Sequence, residues 1–176
     1  MSVKRRAVIL VEDNYECLEL WYPYYRLLEH GLDVDLVGPE PAKTYRSKEG
    51  YPATSDTPPG TAIERSYDAL VAPGGMAPDR LRRYPEILAL VKKVHDEGGV
   101  VASICHGPWV LISAKVLKGR RVTCVPAIKD DVMNAGAEYV DQEVVIDRNL
   151  VTSRTPRDLP AFSAAIIRLV EESSRR

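Results

Sequence analysis

The stretch Val100-Val101-Ala102-Ser103-Ile104-Cys105-His106-Gly107-Pro108 decides how this chain is read. A short β-branched run stops at a cysteine and helix-forming sequence starts right after it, so Cys105 stands at the corner of a strand-to-helix turn. In such a nucleophile elbow the corner residue sits on a sharp, strained turn, and small residues on either side let the backbone fold tightly. Ser103 and Gly107 stand two residues either side of it. A cysteine at a helix start faces the positive end of the helix dipole and unpaired backbone N–H groups, which predicts a favoured, reactive thiolate.

Outward from the elbow, short buried strands alternate with helical stretches, the pattern of an α/β protein with a mostly parallel sheet and helices on both faces. Strands are expected at Ala7–Val11, Leu32–Val37, Ala69–Ala72 and Val122–Val125. A hairpin is expected from Glu143–Asp147 and Leu150–Ser153, joined at Arg148-Asn149. Between the first two strands Leu18, Trp21, Tyr22, Tyr25 and Leu28 recur at helical spacing, and Gly31 is placed to end the helix. Pro23 lies inside it and predicts two offset pieces, since an interior proline costs roughly 3 kcal/mol. Residues 38–62 read as a surface loop or flap-like hairpin. Further helices are expected over Pro85–Glu97, ended by Gly98-Gly99, and over Asp158–Glu172, ahead of a solvated Ser-Ser-Arg-Arg tail. Residues 1–176 make one domain, without internal repeats.

Composition narrows the function. The 176 residues are 45% hydrophobic and 28% charged, with 24 Lys and Arg against 25 Asp and Glu. No basic stripe is present to hold a phosphate backbone, so nucleic acid is not an expected partner. The basic start, Met1-Ser2-Val3-Lys4-Arg5-Arg6, imitates a signal peptide, but the apolar run after it is short and meets Glu12-Asp13 at once. No apolar run is long enough to span a bilayer. Three cysteines at unrelated spacings give neither a disulfide framework nor a zinc pattern, which places the protein in the cytoplasm with reduced thiols.

In an open α/β sheet the functional crevice lies at the carboxyl ends of the strands, so the loops after Val11, Ala72 and Ile104 are expected to converge. They carry Glu12, Asp13, Asn14 and Glu16; Gly74, Gly75 and Asp79; and Cys105 with His106. A cysteine hydrolase needs a partner for the thiol, a group that orients that partner, and N–H donors for an oxyanion. Of the three histidines, His30 sits at a helix end beside Gly31 and His95 reads as a solvated helix face, which leaves His106. No histidine follows position 106, which disfavours a glutamine amidotransferase, whose histidine comes from near the C-terminus.

Four segments together carry a family resemblance. They are Glu16-x-x-Glu19-Leu20-x-Tyr22-Pro23-Tyr24, Asp68-Ala69-Leu70-Val71-x-Pro73-Gly74-Gly75-x-Ala77-Pro78-Asp79, Ala102 through Pro108, and Ile128-Lys129-Asp130-Asp131-x-x-Asn134-Ala135-Gly136. Over nearly the whole chain they resemble the PfpI-type intracellular cysteine peptidases of the ThiJ/PfpI superfamily. The resemblance implies a flavodoxin-like three-layer sandwich, no metal or organic cofactor, and a homodimer or a hexamer built from dimers. It implies Cys105 as nucleophile, His106 as catalytic histidine, Glu16 as the acid against the sulfur, and Asp79 as an acid reaching the histidine of a neighbouring subunit. Family members are described as peptidases, cofactor-free glyoxalases, deglycases of early glycation adducts and redox-responsive stress proteins.

Each assignment has a plainer reading beside it. Asp13-x-x-Glu16 is also a capping box, and Asp79 is also an N-cap for a segment starting at Arg80. The backbone N–H groups of Gly75 and His106 are the oxyanion-hole candidates, while Cys17 and Cys124 read as packing residues. The expected substrate is a peptide or a small carbonyl compound attacked by the Cys105 thiolate. A redox sensor or holdase, with Cys105 oxidised to a sulfinate beside Glu16, is the alternative.

Overall fold

The computed structural model describes residues 4–173; the first three residues and the last three, with the Met1-Ser2-Val3 beginning of the basic start and most of the Ser-Ser-Arg-Arg tail, lie outside the described residues. Along the chain the elements are β1 (Arg6–Leu10), α1 (Cys17–Glu29), β2 (Asp33–Val37), β3 (Thr44–Arg46), β4 (Pro52–Thr54) and α2 (Pro59–Ala62). They continue with β5 (Ala69–Ala72), α3 (Ala77–Leu81), α4 (Pro85–Asp96), β6 (Val100–Ile104), α5 (Pro108–Ser113), β7 (Arg121–Val122) and α6 (Lys129–Asn134). The last are β8 (Glu138–Tyr139), β9 (Val144–Asp147), β10 (Leu150–Ser153) and α7 (Leu159–Ser173).

The main sheet has six strands in the order β2-β1-β5-β6-β10-β9, parallel except for the β9–β10 hairpin at one edge. Every residue of β5 and β6 is buried, as expected of central parallel strands covered on both faces. The chain leaves β1 toward one edge through α1 and leaves β5 toward the other through α4. Right-handed crossovers in opposite directions put these helices on opposite faces. α7 joins α1 on its face, and α4 packs with α2 and α5 on the other, giving three layers. The order reverses beside β1, so the carboxyl ends of β1, β5 and β6 open onto one crevice. No helix of the described residues is long and apolar enough to cross a membrane.

Residues 38–62 do form a hairpin, β3 with β4, followed by the short α2. Four other expectations are corrected. α1 is one continuous helix through Pro23, whose ring is buried, so packing offsets the lost backbone bond. Its core face is Glu19, Leu20, Pro23 and Leu27, not the Leu18–Leu28 stripe. Leu18, Tyr25 and Leu28 are exposed, and Trp21 stacks on Tyr25 with ring centroids 5.8 Å apart.

The expected strand at Val122–Val125 shrinks to β7, paired with β8 outside the main sheet. There Thr123 N–H donates to Thr152 Oγ1 at 2.9 Å and Val125 N–H to the carbonyl of Cys105 at 3.2 Å, so the segment crosses over the sheet end. Finally, His95 is not a solvated residue. Its Nε2 lies 3.0 Å from Nη1 of the buried Arg120, whose guanidinium is also bound to Asp147 and Asn149, and this cluster ties α4 to the β9–β10 turn. His30 does cap α1, with Glu171 of α7 at 2.9 Å.

Candidate active site

Cys105 follows β6 with φ +61°, a left-handed conformation that costs a non-glycine residue roughly 1–2 kcal/mol. The turn is held from both sides. Cys105 N–H donates to the carbonyl of Ser153 at 3.1 Å, and its own carbonyl accepts from Val125 N–H. Gly107 is needed for space: a Cβ there would lie 2.4 Å from the carbonyl oxygen of Ala72. The strained elbow read from sequence is present, with Ser103 fully buried beneath it.

Gly74 and Gly75 close the site from the end of β5. Gly75 has φ +75°, and the loop after β1 clasps it through Glu16 N–H to the Gly74 carbonyl at 3.2 Å and Met76 N–H to the Asn14 carbonyl at 2.8 Å. The backbone N–H groups of Gly75 and His106 lie close enough to the Cys105 sulfur to favour its charged form. This is the pair expected to form an oxyanion hole. The sulfur lies 3.3 Å from His106 Nδ1, so neighbours in sequence do meet in space here.

The acid against the sulfur is Glu19, not Glu16. Glu16 is the N-cap of α1, and its Oε2 accepts from Glu19 N–H at 2.8 Å, so its carboxylate is consumed by the helix end. The capping pair is thus Glu16 with Glu19. Asp13 instead accepts from Arg46 N–H at 2.9 Å and pins the β3–β4 hairpin over the site. The Glu19 side chain is completely buried and its Oε2 accepts from Gly74 N–H at 2.7 Å. A Cβ on Gly74 would lie 2.4 Å from that oxygen and 2.8 Å from Cys105 Cβ, so glycine brings carboxyl and nucleophile together. The sequence signal for Glu19 was its register: it stands four residues before Pro23, on the buried face of α1.

Protonation follows from burial. Burial foremost, then the nearby Glu16 charge, pushes Glu19 up to about 8, so it holds a proton at neutral pH. Burial, then the Glu19 charge, pushes the Cys105 thiol up to about 12. The expectation of a thiolate favoured by the helix start is therefore corrected for the resting site: desolvation outweighs a six-residue helix and two amides. A proton on Glu19 removes its repulsion and turns the carboxyl into a donor toward sulfur; its Oε1 is buried with no hydrogen-bond partner among the described residues. Burial, with Lys48 adding to it, pushes His106 down, so the imidazole is neutral near pH 7 and Nδ1 can accept the thiol proton.

Asp79 lies apart from this cluster within its own chain. It sits in the first turn of α3, whose N-cap is Met76, so the N-cap reading is corrected. Its carboxylate pairs with Arg83. His106 stacks edge-to-face on Trp109 at 5.1 Å, and among the described residues its Nε2 has no hydrogen-bond partner. Cys124 is buried and its thiol is pushed up to about 12, as suits a packing residue. Cys17, at the start of α1, is only half-buried.

The model of the DJ-1/PfpI family matches residues 5–169. A deglycase of Pyrococcus abyssi is 46% identical over 166 residues, covering 94% of this chain and 99% of that protein. Protein/nucleic acid deglycase 2 of Escherichia coli is 39% identical over 170 residues, covering 96% and 99%. Among solved structures, DJ-1beta of Drosophila melanogaster superposes with a TM-score of 0.88 at 25% identity, covering 98% of this chain and 97% of that one. Matched over nearly all of its length by the family model and by these relatives, this chain belongs to the DJ-1/PfpI family.

Proposed function

We propose that the protein is a cysteine-dependent hydrolase of electrophilic carbonyl compounds, with early glycation adducts as its first substrate class. The observation that carries this is a neutral imidazole nitrogen 3.3 Å from a sulfur that also faces two backbone N–H groups. The naming of relatives as deglycases supports the substrate class. In the proposed sequence Cys105 gives its proton to His106 Nδ1, and sulfur takes the place of the amine on the former aldehyde carbon of the adduct, the amine leaving with the proton from His106. His106 then moves a proton from that carbon to the neighbouring ketone carbon through an enediolate whose oxygen the Gly75 and His106 amides hold, giving a lactoyl thioester that water hydrolyses to lactate and the free thiol. Protonated Glu19 steadies the thiolate by a hydrogen bond.

Among the described residues no acid of its own chain reaches His106 Nε2, and we assign that role to Asp79 of a neighbouring subunit in a homodimer or hexamer. The three cysteines are free, which fits a reducing, cytoplasmic setting.

The test uses N-acetyl-lysine or N-acetyl-cysteine freshly modified with methylglyoxal, comparing wild type with Cys105→Ala. Release of free amine or thiol together with lactate is expected from wild type, and a loss of at least about 100-fold in the variant. Equal turnover by both proteins rejects the reading. A redox role is favoured by one specific observation, the buried Glu19 carboxyl that meets Cys105 across Gly74 and keeps its Oε1 unpartnered among the described residues. A proton there would donate to a sulfinate oxygen on Cys105. Peroxide treatment followed by mass analysis of the 105 peptide separates the two: a protein that turns over adducts only when reduced is an enzyme first.

A further inference from the structure

A cleft of 540 Å³ opens between α3, α5 and α6, lined by Arg82, Trp109, Lys115, Lys118, Asp131 and Asn134. Three cations meet one carboxylate there. Asp131 is already engaged, its Oδ2 accepting from Trp109 Nε1–H at 2.8 Å. Arg82 is held by a 2.9 Å bond from its Nε to Ser113 Oγ and lies over the Trp109 ring, 5.7 Å from the centroid. The rest of its guanidinium fork has no hydrogen-bond partner among the described residues. Lys115 and Lys118 make no ion pair among the described residues, whereas Lys43, Lys92 and Lys93 each do. The backbone around the two lysines is constrained. Lys115 ends α5 with φ +62°, where glycine is the usual residue, and Gly136 is bare against the Lys118 stem, where an added Cβ would come within 3.3 Å.

Unpaired cations gathered in a concave site with an aromatic wall suit an anion attached to a small organic body. A fork and two point charges exceed what one carboxylate needs and match a phosphate dianion. We propose that this cleft binds the phosphate group of a small phosphorylated molecule, at a site separate from Cys105. Trp109 forms the wall between them, since the same indole packs against the His106 ring. The inference stands on the cleft alone and does not depend on the reaction at Cys105.

The chain has two tryptophans, so in Trp21→Phe the emission of Trp109 reports on the cleft directly. Inorganic phosphate, glucose 6-phosphate and glucose are titrated at ionic strength matched with sodium chloride. Saturable responses to phosphate and to glucose 6-phosphate, and none to glucose, are expected. Tighter binding of the sugar phosphate identifies an organic ester as the occupant; equal binding identifies free phosphate. Arg82→Gln and Lys118→Gln, each made in the same background, should weaken binding about tenfold, the loss expected for one charge-assisted contact. Carboxamidomethylation of Cys105 should leave it unchanged. Lys118 is exposed, so its variant tests the site without testing the fold. A linear response at matched ionic strength, undiminished affinity in Lys118→Gln, or loss on alkylating Cys105 would each overturn the proposal.

Discussion

At the scale of single residues, one buried proton organises the site. Glu19 is raised to about 8 by burial, whereas an unfolded chain releases that proton near the ordinary carboxylate value of 4.5. Between those values the folded protein binds the proton that the unfolded chain has lost. Stability present below pH 4.5 is therefore lost as pH rises toward 8, by up to about 1.4 kcal/mol per unit. Glu19→Gln keeps the shape and removes the titration, so urea midpoints measured at pH 5, 7 and 9 should fall more steeply for wild type than for the variant. Parallel slopes would mean that Glu19 is ionised in the folded state. Cys105, His106 and Gly75 were legible in the sequence because their placement is local: a strand end, a turn and a glycine. Glu19 was not, because two carboxyls one helical turn apart differ only in which face of α1 is buried, and the apolar stripe on the opposite face misdirected that choice.

The elements show why local pattern reads strands better than helices. β5 and β6 are uninterrupted apolar runs and were readable at once, whereas α1 carries apolar residues on two faces and only packing against α7 and the sheet selects one. The short β7 was overread because Thr123 and Val125 look like a strand while their N–H groups bond to Thr152 and Cys105. At the elbow the governing quantity is space. Gly107 has a helical backbone, yet its missing Cβ is what allows α5 to approach the carbonyls of Ala72 and Ile104. Gly107→Ala should cost about 1–3 kcal/mol by overpacking and displace the nucleophile, lowering both the thermal midpoint and the rate of Cys105 alkylation. Gly60, inside α2 with nothing within 4 Å of an added Cβ, is the control. Gly60→Ala should be neutral or stabilising by about 0.5–1 kcal/mol. If the two variants behave alike, close packing does not hold the elbow in place.

For the molecule as a whole, the alternation of strands and helices carried the fold class, but a sequence does not say which residues of a second copy complete a site. Here the structure sharpens the question. Among the described residues His106 Nε2 has no hydrogen-bond partner, while Asp79 is half-exposed on α3 with its carboxylate paired to Arg83 of its own chain. An exposed i,i+4 pair of this kind is worth about 0.3–0.5 kcal/mol and is easily exchanged for another partner. Cys105→Ala and Asp79→Ala, each folded and inactive alone, are unfolded and refolded together in equal amounts. If Asp79 serves the neighbour's His106, random assembly places an intact Cys105 opposite an intact Asp79 in roughly a quarter of sites, and activity returns to about that fraction. If Asp79 acts within its own chain, no mixed assembly contains a complete site and nothing returns. An active Asp79→Ala protein would remove the residue from catalysis altogether, leaving its bond to Arg83 as its only contribution.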